Sequence, residues 1–366
     1  MSLSFDKSIE NIIVENFGEE NTNTIYEMPI IQYLIKKTVS ANKGSKSRGS
    51  FANLYAIYVL VEDYIQNEFH IKYGEYADYS GAQFSTLFTR QRELPFGSKL
   101  QNHALNNRVN GEFKKYFKLL DTVPIIRDEE TNNYWFNEGL LNQKIGGKNF
   151  NVAITIINII DKYIETKQDS MDRFIKTCNE MKKISKNDKT AVHKFIISLL
   201  DYKIDARLFE IVSYSILKYH YSDIIVYWSY DKEKLSEENL VLYKTGRTNA
   251  NDGGIDFVMK PLGRFFQVTE TTDFKKYFLD IDKVAKFPIS FVVKTNKDIR
   301  ILEEEIKAKA YQLYSIKKIV DKYLNSIEEL INIPVLVERF EACVEDGQID
   351  NILDEIIKQS EVEFNV

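Results

Sequence analysis

The run Asp252-Gly253-Gly254-Ile255-Asp256-Phe257 and the later run Arg264-Phe265-Phe266-Gln267-Val268-Thr269-Glu270 read as two adjacent β-strands joined by the turn Pro261-Leu262-Gly263. Side chains alternate along a strand, so Gln267 and Thr269 project to one face while Val268 and Glu270 project to the other. The tight turn brings the start of the first strand, and Asp256 with it, toward Gln267 and Thr269. One or two carboxylates plus a carbonyl are enough to hold Mg2+, which seeks oxygen ligands and keeps several waters. A metal so placed could polarise a phosphodiester and lower the pKa of an attacking water.

The flanking elements must position these groups. A helix is expected from Ala206 to His220, then strands at 224–228 and 240–243, a turn-rich loop at 245–251, and the hairpin 255–260/264–270. A helix at 273–286 carries Phe274, Tyr277, Phe278, Ile281 and Val284 at helical spacing, and Ser290-Phe291-Val292-Val293 reads as a short buried strand. This order is that of an α/β (α+β) sandwich. The N-terminal half reads as mainly helical. Phe51, Leu54, Tyr55, Tyr58, Val61 and Ile65 mark one helix with Ser50 as its N-cap, and others are expected at 151–166, 170–184 and 188–201. From about 301 to the end the pattern is amphipathic helix.

The helix, hairpin, helix, strand order, with an acid opening the hairpin, resembles the PD-(D/E)xK nuclease superfamily, type II restriction endonucleases in particular. About a quarter of the chain carries the resemblance, and the motif is short. Asp256 matches the family's first acid, and Gln267, eleven positions on, matches the second metal-binding position of its Gln-x-Lys variant. Glu210, on the preceding helix, matches an auxiliary acid. Thr269 stands where the family has Lys. The resemblance implies a restriction-endonuclease-like αβββαβ core over 204–300, a helical region over 1–203 that recognises DNA, and C-terminal helices over 301–366 that pack on the core. It also implies an Mg2+-dependent, sequence-specific double-stranded DNA endonuclease, with Asp256, Gln267 and Glu210 at the metal. A homodimer that cuts both strands, and a cognate DNA methyltransferase in the same system, follow from the same resemblance. For the missing ammonium, Lys260, Lys275 or Lys276 could substitute, or a second metal on Glu210 or Glu270; otherwise the site is dead.

DNA contact is expected from the polar, basic segments 42–50 and 88–108. Arg can read guanine bidentately, and Asn and Gln adenine. The candidates are Lys46, Arg48, Arg90, Arg92, Gln101, Asn102, Asn106, Asn107 and Arg108, with Arg247 beside the site. Plainer readings exist for each: Asp252-Gly253-Gly254 as a simple turn, Glu210 on a solvated helix face, Gln267 bonded to backbone, and the basic segments as solvated loops. Two alternatives of another class therefore stand: a non-catalytic DNA-binding or regulatory protein on a decayed nuclease fold, and a helical interaction protein with a structural hairpin.

The net charge of −5 over 366 residues does not favour nucleic-acid binding, although local clustering matters more than the sum. Cys178 and Cys343 are the only cysteines, with no CxxC, which fits a reducing cytoplasm and argues against structural zinc. His70, His103, His193 and His220 have no metal-ligand spacing. No secretory signal is read in the first residues, and no apolar run approaches the ~18 residues of a spanning helix. A cytoplasmic location is expected.

Overall fold

The computed structural model describes residues 5–41, 47–98, 100–245, 255–270 and 274–364, without the side chains of residues 40, 47–50, 274, 275 and 364. The fold is mixed α/β, and the chain divides into two compact units, Met1–Asp172 and Arg173–Val366.

The first unit contains helices α1 (Phe5–Phe17), α2 (Glu19–Tyr26), α3 (Pro29–Thr38), α4 (Ser47–Gln66), α5 (Phe84–Glu93) and α6 (Val109–Tyr116). Its strands are β1 (Ala82–Gln83), β2 (Ile125–Arg127), β3 (Asn133–Phe136), β4 (Asn142–Ile145) and β5 (Lys148–Asn151), arranged as a sheet β1-β3-β2 and a hairpin β4-β5. Every side chain from Phe51 to Val61 of α4 is buried, all of them apolar or aromatic except Asn53, and this stretch forms the core around which the others pack. Helix α1 buries only Phe5, Ile9 and Ile13, a single stripe four residues apart. The first unit is mainly helical, as expected, and its five short strands, of two to four residues each, were not expected. Ser50 lies inside α4, not at its cap.

Helix α7 (Ala153–Ile184) is continuous where two helices were expected, and α8 (Lys189–Ser198) follows. The second unit continues with α9 (Ala206–Tyr221), whose first turn is capped by Asp205 accepting from the Arg207 amide at 3.0 Å. Next come β6 (Ile225–Trp228), β7 (Ser236–Asn239), β8 (Val241–Lys244), β9 (Phe257–Lys260), β10 (Arg264–Thr269), α10 (Phe274–Lys283) and β11 (Ile289–Val293). The chain ends with α11 (Ile299–Leu313), α12 (Lys317–Leu324), β12 (Ile327–Ile331), α13 (Ile333–Glu345) and α14 (Ile349–Phe364). Strand β6, expected in the core, pairs among the described residues with β7 alone, as a separate hairpin. Strand β12, inside the stretch expected to be helical, joins the sheet.

The five-stranded sheet has the order β12-β11-β10-β9-β8. Strands β8, β9 and β10 are antiparallel in succession, and β10, β11 and β12 are parallel. One face is covered by α9, where Tyr214 meets Phe257 and Tyr221 meets Phe266 at centroid distances of 5.3 and 6.2 Å. The other face, with Phe265, Phe291 and Val293, packs on Tyr277, Phe278 and Ile281 of α10 and on Leu302 and Ile306 of α11. Each fully buried side chain of this kind contributes about 1.5–3 kcal/mol by leaving water. With both faces covered, the free ends of the strands are where polar side chains can gather. Among the described residues no helix is long and apolar enough to cross a membrane.

Candidate active site

Strand β10 supplies two of the expected residues. Gln267 and Thr269 stand directly across from Phe291 and Val293 of β11, so they share the face covered by α10. Both are buried, Gln267 to 7% and Thr269 to 2% exposure. The Gln267 amide nitrogen donates to the Val268 carbonyl at 3.2 Å, while its Oε1 is buried with no hydrogen-bond donor among the described residues. The Thr269 hydroxyl accepts from Lys276 Nζ, in the first turn of α10, at 3.4 Å.

Asp256 reaches the same strand end through a break in register. Phe257 faces Phe266, yet the Asp256 amide also donates to the Phe266 carbonyl, at 3.0 Å. Two residues of one strand thus oppose one of the other, a β-bulge, which re-aims the side chain beside it. The Asp256 carboxylate accepts from the Val268 amide at 2.7 Å. This places its oxygen next to the backbone between Gln267 and Thr269.

Glu210 does not join them. It sits on α9, over the opposite face of the sheet, where its Oε1 lies 3.0 Å from Lys244 Nζ. Lys244 is the register partner of Phe257 and so shares the α9 face. Expecting Glu210 beside Gln267 is corrected by this alternation: Phe266 turns toward α9, so Gln267 must turn away. Among the described residues no three His, Cys, Asp or Glu side chains gather as a metal cluster, so a cation here would depend on Asp256, the Gln267 carbonyl and water.

The other expected substitutes are also placed. Lys260 closes β9 at the end remote from Asp256 and pairs with Glu238 at 3.6 Å, too far along the strand to serve. Glu270 is held by Lys294, at 2.7 Å. Lys294, whose side chain is 2% exposed, also donates to the Ile204 carbonyl and accounts for the Glu270 carboxylate. Neither Lys244 nor Lys294 was singled out from the sequence, since nothing local marks a lysine as buried. The side chain of Lys275, together with Asp252 and Arg247, lies outside the described residues.

In the first unit, Lys46 and the side chain of Arg48 also lie outside the described residues. Arg90 grips Glu62 with two hydrogen bonds of 2.8 Å, which hold its guanidinium above its ordinary range. Arg92 donates to the Ser98 carbonyl at 2.9 Å and lies over the Phe88 ring. Asn106 accepts from the Tyr134 hydroxyl at 2.8 Å, and Arg108 pairs with Glu112 at 3.1 Å. Gln101, Asn102 and Asn107 are exposed. No family model, curated protein or solved structure matches this chain.

Proposed function

We propose that this chain is an Mg2+-dependent, sequence-specific double-stranded DNA endonuclease of the PD-(D/E)xK kind, working as a type II restriction enzyme. The observation that carries the reading is the Asp256 carboxylate bonded to the amide of Val268, the residue next to Gln267, at one end of a sheet built as helix, three antiparallel strands, helix and parallel strand. Among the described residues the Gln267 carbonyl is a buried acceptor without a donor, and an unsatisfied buried acceptor costs free energy that a cation or its water would recover. Asp256 and Gln267 therefore fit as the protein's oxygen ligands to Mg2+.

Bound there, Mg2+ would supply charge to polarise the phosphate and acidify a water. The protein's own part is to hold the Asp256 carboxylate against the β10 backbone through its bond to the Val268 amide and to exclude bulk water from the strand end. Glu210, an auxiliary ligand by resemblance, instead neutralises Lys244 across the sheet. The exposed polar groups of Gln101, Asn102 and Asn107 remain suited to DNA contact, and a homodimer would bring the second centre needed to cut both strands. Incubating DNA of known sequence with the protein and Mg2+, then mapping the ends, tests the reading. Recurrent ends at one short sequence are expected, and intact DNA would refute it.

A second reading is a non-catalytic DNA-binding protein on a decayed nuclease fold. It is favoured by Thr269 at the family's Lys position and by the Glu210–Lys244 pair on the wrong face. It predicts duplex binding without cutting at any Mg2+ or Mn2+ concentration.

A further inference from the structure

Three lysines stand around this end of the sheet, and their surroundings differ. Lys244 is tied to Glu210 at 3.0 Å and Lys294 to Glu270 at 2.7 Å, each with little exposure. Lys276 is exposed, and its ammonium, among the described residues, meets a neutral hydroxyl, that of Thr269. The carboxylate one turn further along its own helix, Asp280, is taken by Lys283 at 2.8 Å. Among the described residues Lys276 has no carboxylate partner. It also stands in the first turn of α10, where the helix dipole disfavours a cation by a few tenths to about 1 kcal/mol. An ammonium at a positive helix end, bonded to a buried hydroxyl and with no counter-charge among the described residues, is balanced best by an anion that arrives with the ligand.

We infer that Lys276 is the cation that contacts the scissile phosphate, doing from the helix what Thr269 cannot do from the strand. This rests on the nuclease reading above. The Thr269 hydroxyl is then a positioning group that holds the ammonium over the strand end. In the step assisted, a water oxygen forms a new bond to phosphorus and one ester P–O bond breaks. The water's proton passes to solvent and the departing alkoxide takes one from solvent. Nothing is oxidised or reduced. The ammonium hydrogen-bonds a non-bridging oxygen and stabilises the charge that builds on it.

The experiment is single-turnover cleavage of duplex DNA by the full chain, with DNA affinity measured separately and folding checked by circular dichroism. Lys276→Met should slow cleavage about 100–1,000-fold, as removal of a single donor to a developing oxyanion does, while affinity changes about threefold or less. Lys276→Cys should be as slow, and alkylation with bromoethylamine, which rebuilds a lysine-like ammonium, should restore at least a tenth of the lost rate. The native cysteines are buried and stay unmodified. Cleavage by Lys276→Met within threefold of wild type, or no recovery on alkylation, overturns the assignment while the nuclease reading survives. Wild-type protein that leaves DNA intact overturns both.

Discussion

The Asp256 carboxylate accepts the main-chain amide of Val268 at 2.7 Å, so a side chain takes the place of a strand carbonyl. One group therefore has a structural and a chemical duty, and the two are separable. Asp256→Ala leaves a part-buried amide unsatisfied and should cost about 1–3 kcal/mol. Asp256→Asn keeps an oxygen at the same point and should unfold within about 1 kcal/mol of wild type, although its ligand charge is gone. Urea titration of the two variants checks this, and equal destabilisation would show that the hydrogen bond is not what matters.

Glu210 and Lys244 form an ion pair with roughly a tenth of each side chain exposed. Breaking such a pair strands a charge, so Lys244→Met alone should destabilise by about 3–5 kcal/mol, and Glu210→Gln by a comparable amount. The double variant should recover most of that loss. If Glu210 serves only its partner, the double variant also cuts DNA at close to the wild-type rate. Restored stability with lost cleavage would instead return Glu210 to the metal.

Burial lowers the pKa of His220 below its ordinary value, with Arg339 acting in the same direction. Because the folded value is depressed, the unfolded chain takes the proton first. The contribution of His220 is fully present above about 6.5, the unfolded value, and is lost as pH falls through the folded value. Urea midpoints measured from pH 8 to 5 should fall more steeply for wild type than for His220→Gln. Parallel curves would contradict the assignment.

Burial pushes the thiol of Cys178 up to about 12 and that of Cys343 up to about 11. At pH 8 neither presents appreciable thiolate, the reactive form. A disulfide reagent such as dithiobis-nitrobenzoate should report almost no fast thiol in the native protein and two after denaturation. A fast-reacting native thiol would refute the burial.

The helix at 206–220, the hairpin and the helix after it were legible because they carry strong local signals, whereas the strand expected at 224–228 forms outside the five-stranded sheet, where β8 takes the place beside β9. The Pro261-Leu262-Gly263 turn lies between two runs of β-formers, and the apolar spacing of α10 is helical. Strand β12 was hidden because Glu328 and Glu329 interrupt it and make it read as an amphipathic helix. Those acids are spent on Arg264, at 3.0 and 2.7 Å, a pairing visible only once the strands are side by side. Strands β4 and β5 are hidden by polar residues such as Lys148, Asn149 and Asn151. The face assignments depended on register: alternation rightly kept Gln267 with Thr269, but which helix covers which face is a tertiary fact, and that fact separates Glu210 from them. The bulge at Asp256 and the lysine partners were illegible for the same reason.

Conversion of supercoiled plasmid by wild type and by Asp256→Asn, each with Mg2+ and with EDTA, tests most directly whether this strand end hydrolyses phosphodiesters. Linear product from wild type in Mg2+ alone, with the variant leaving the plasmid supercoiled, is the expected result. Equal cutting by both proteins, or none by wild type in Mg2+ or Mn2+, would contradict it.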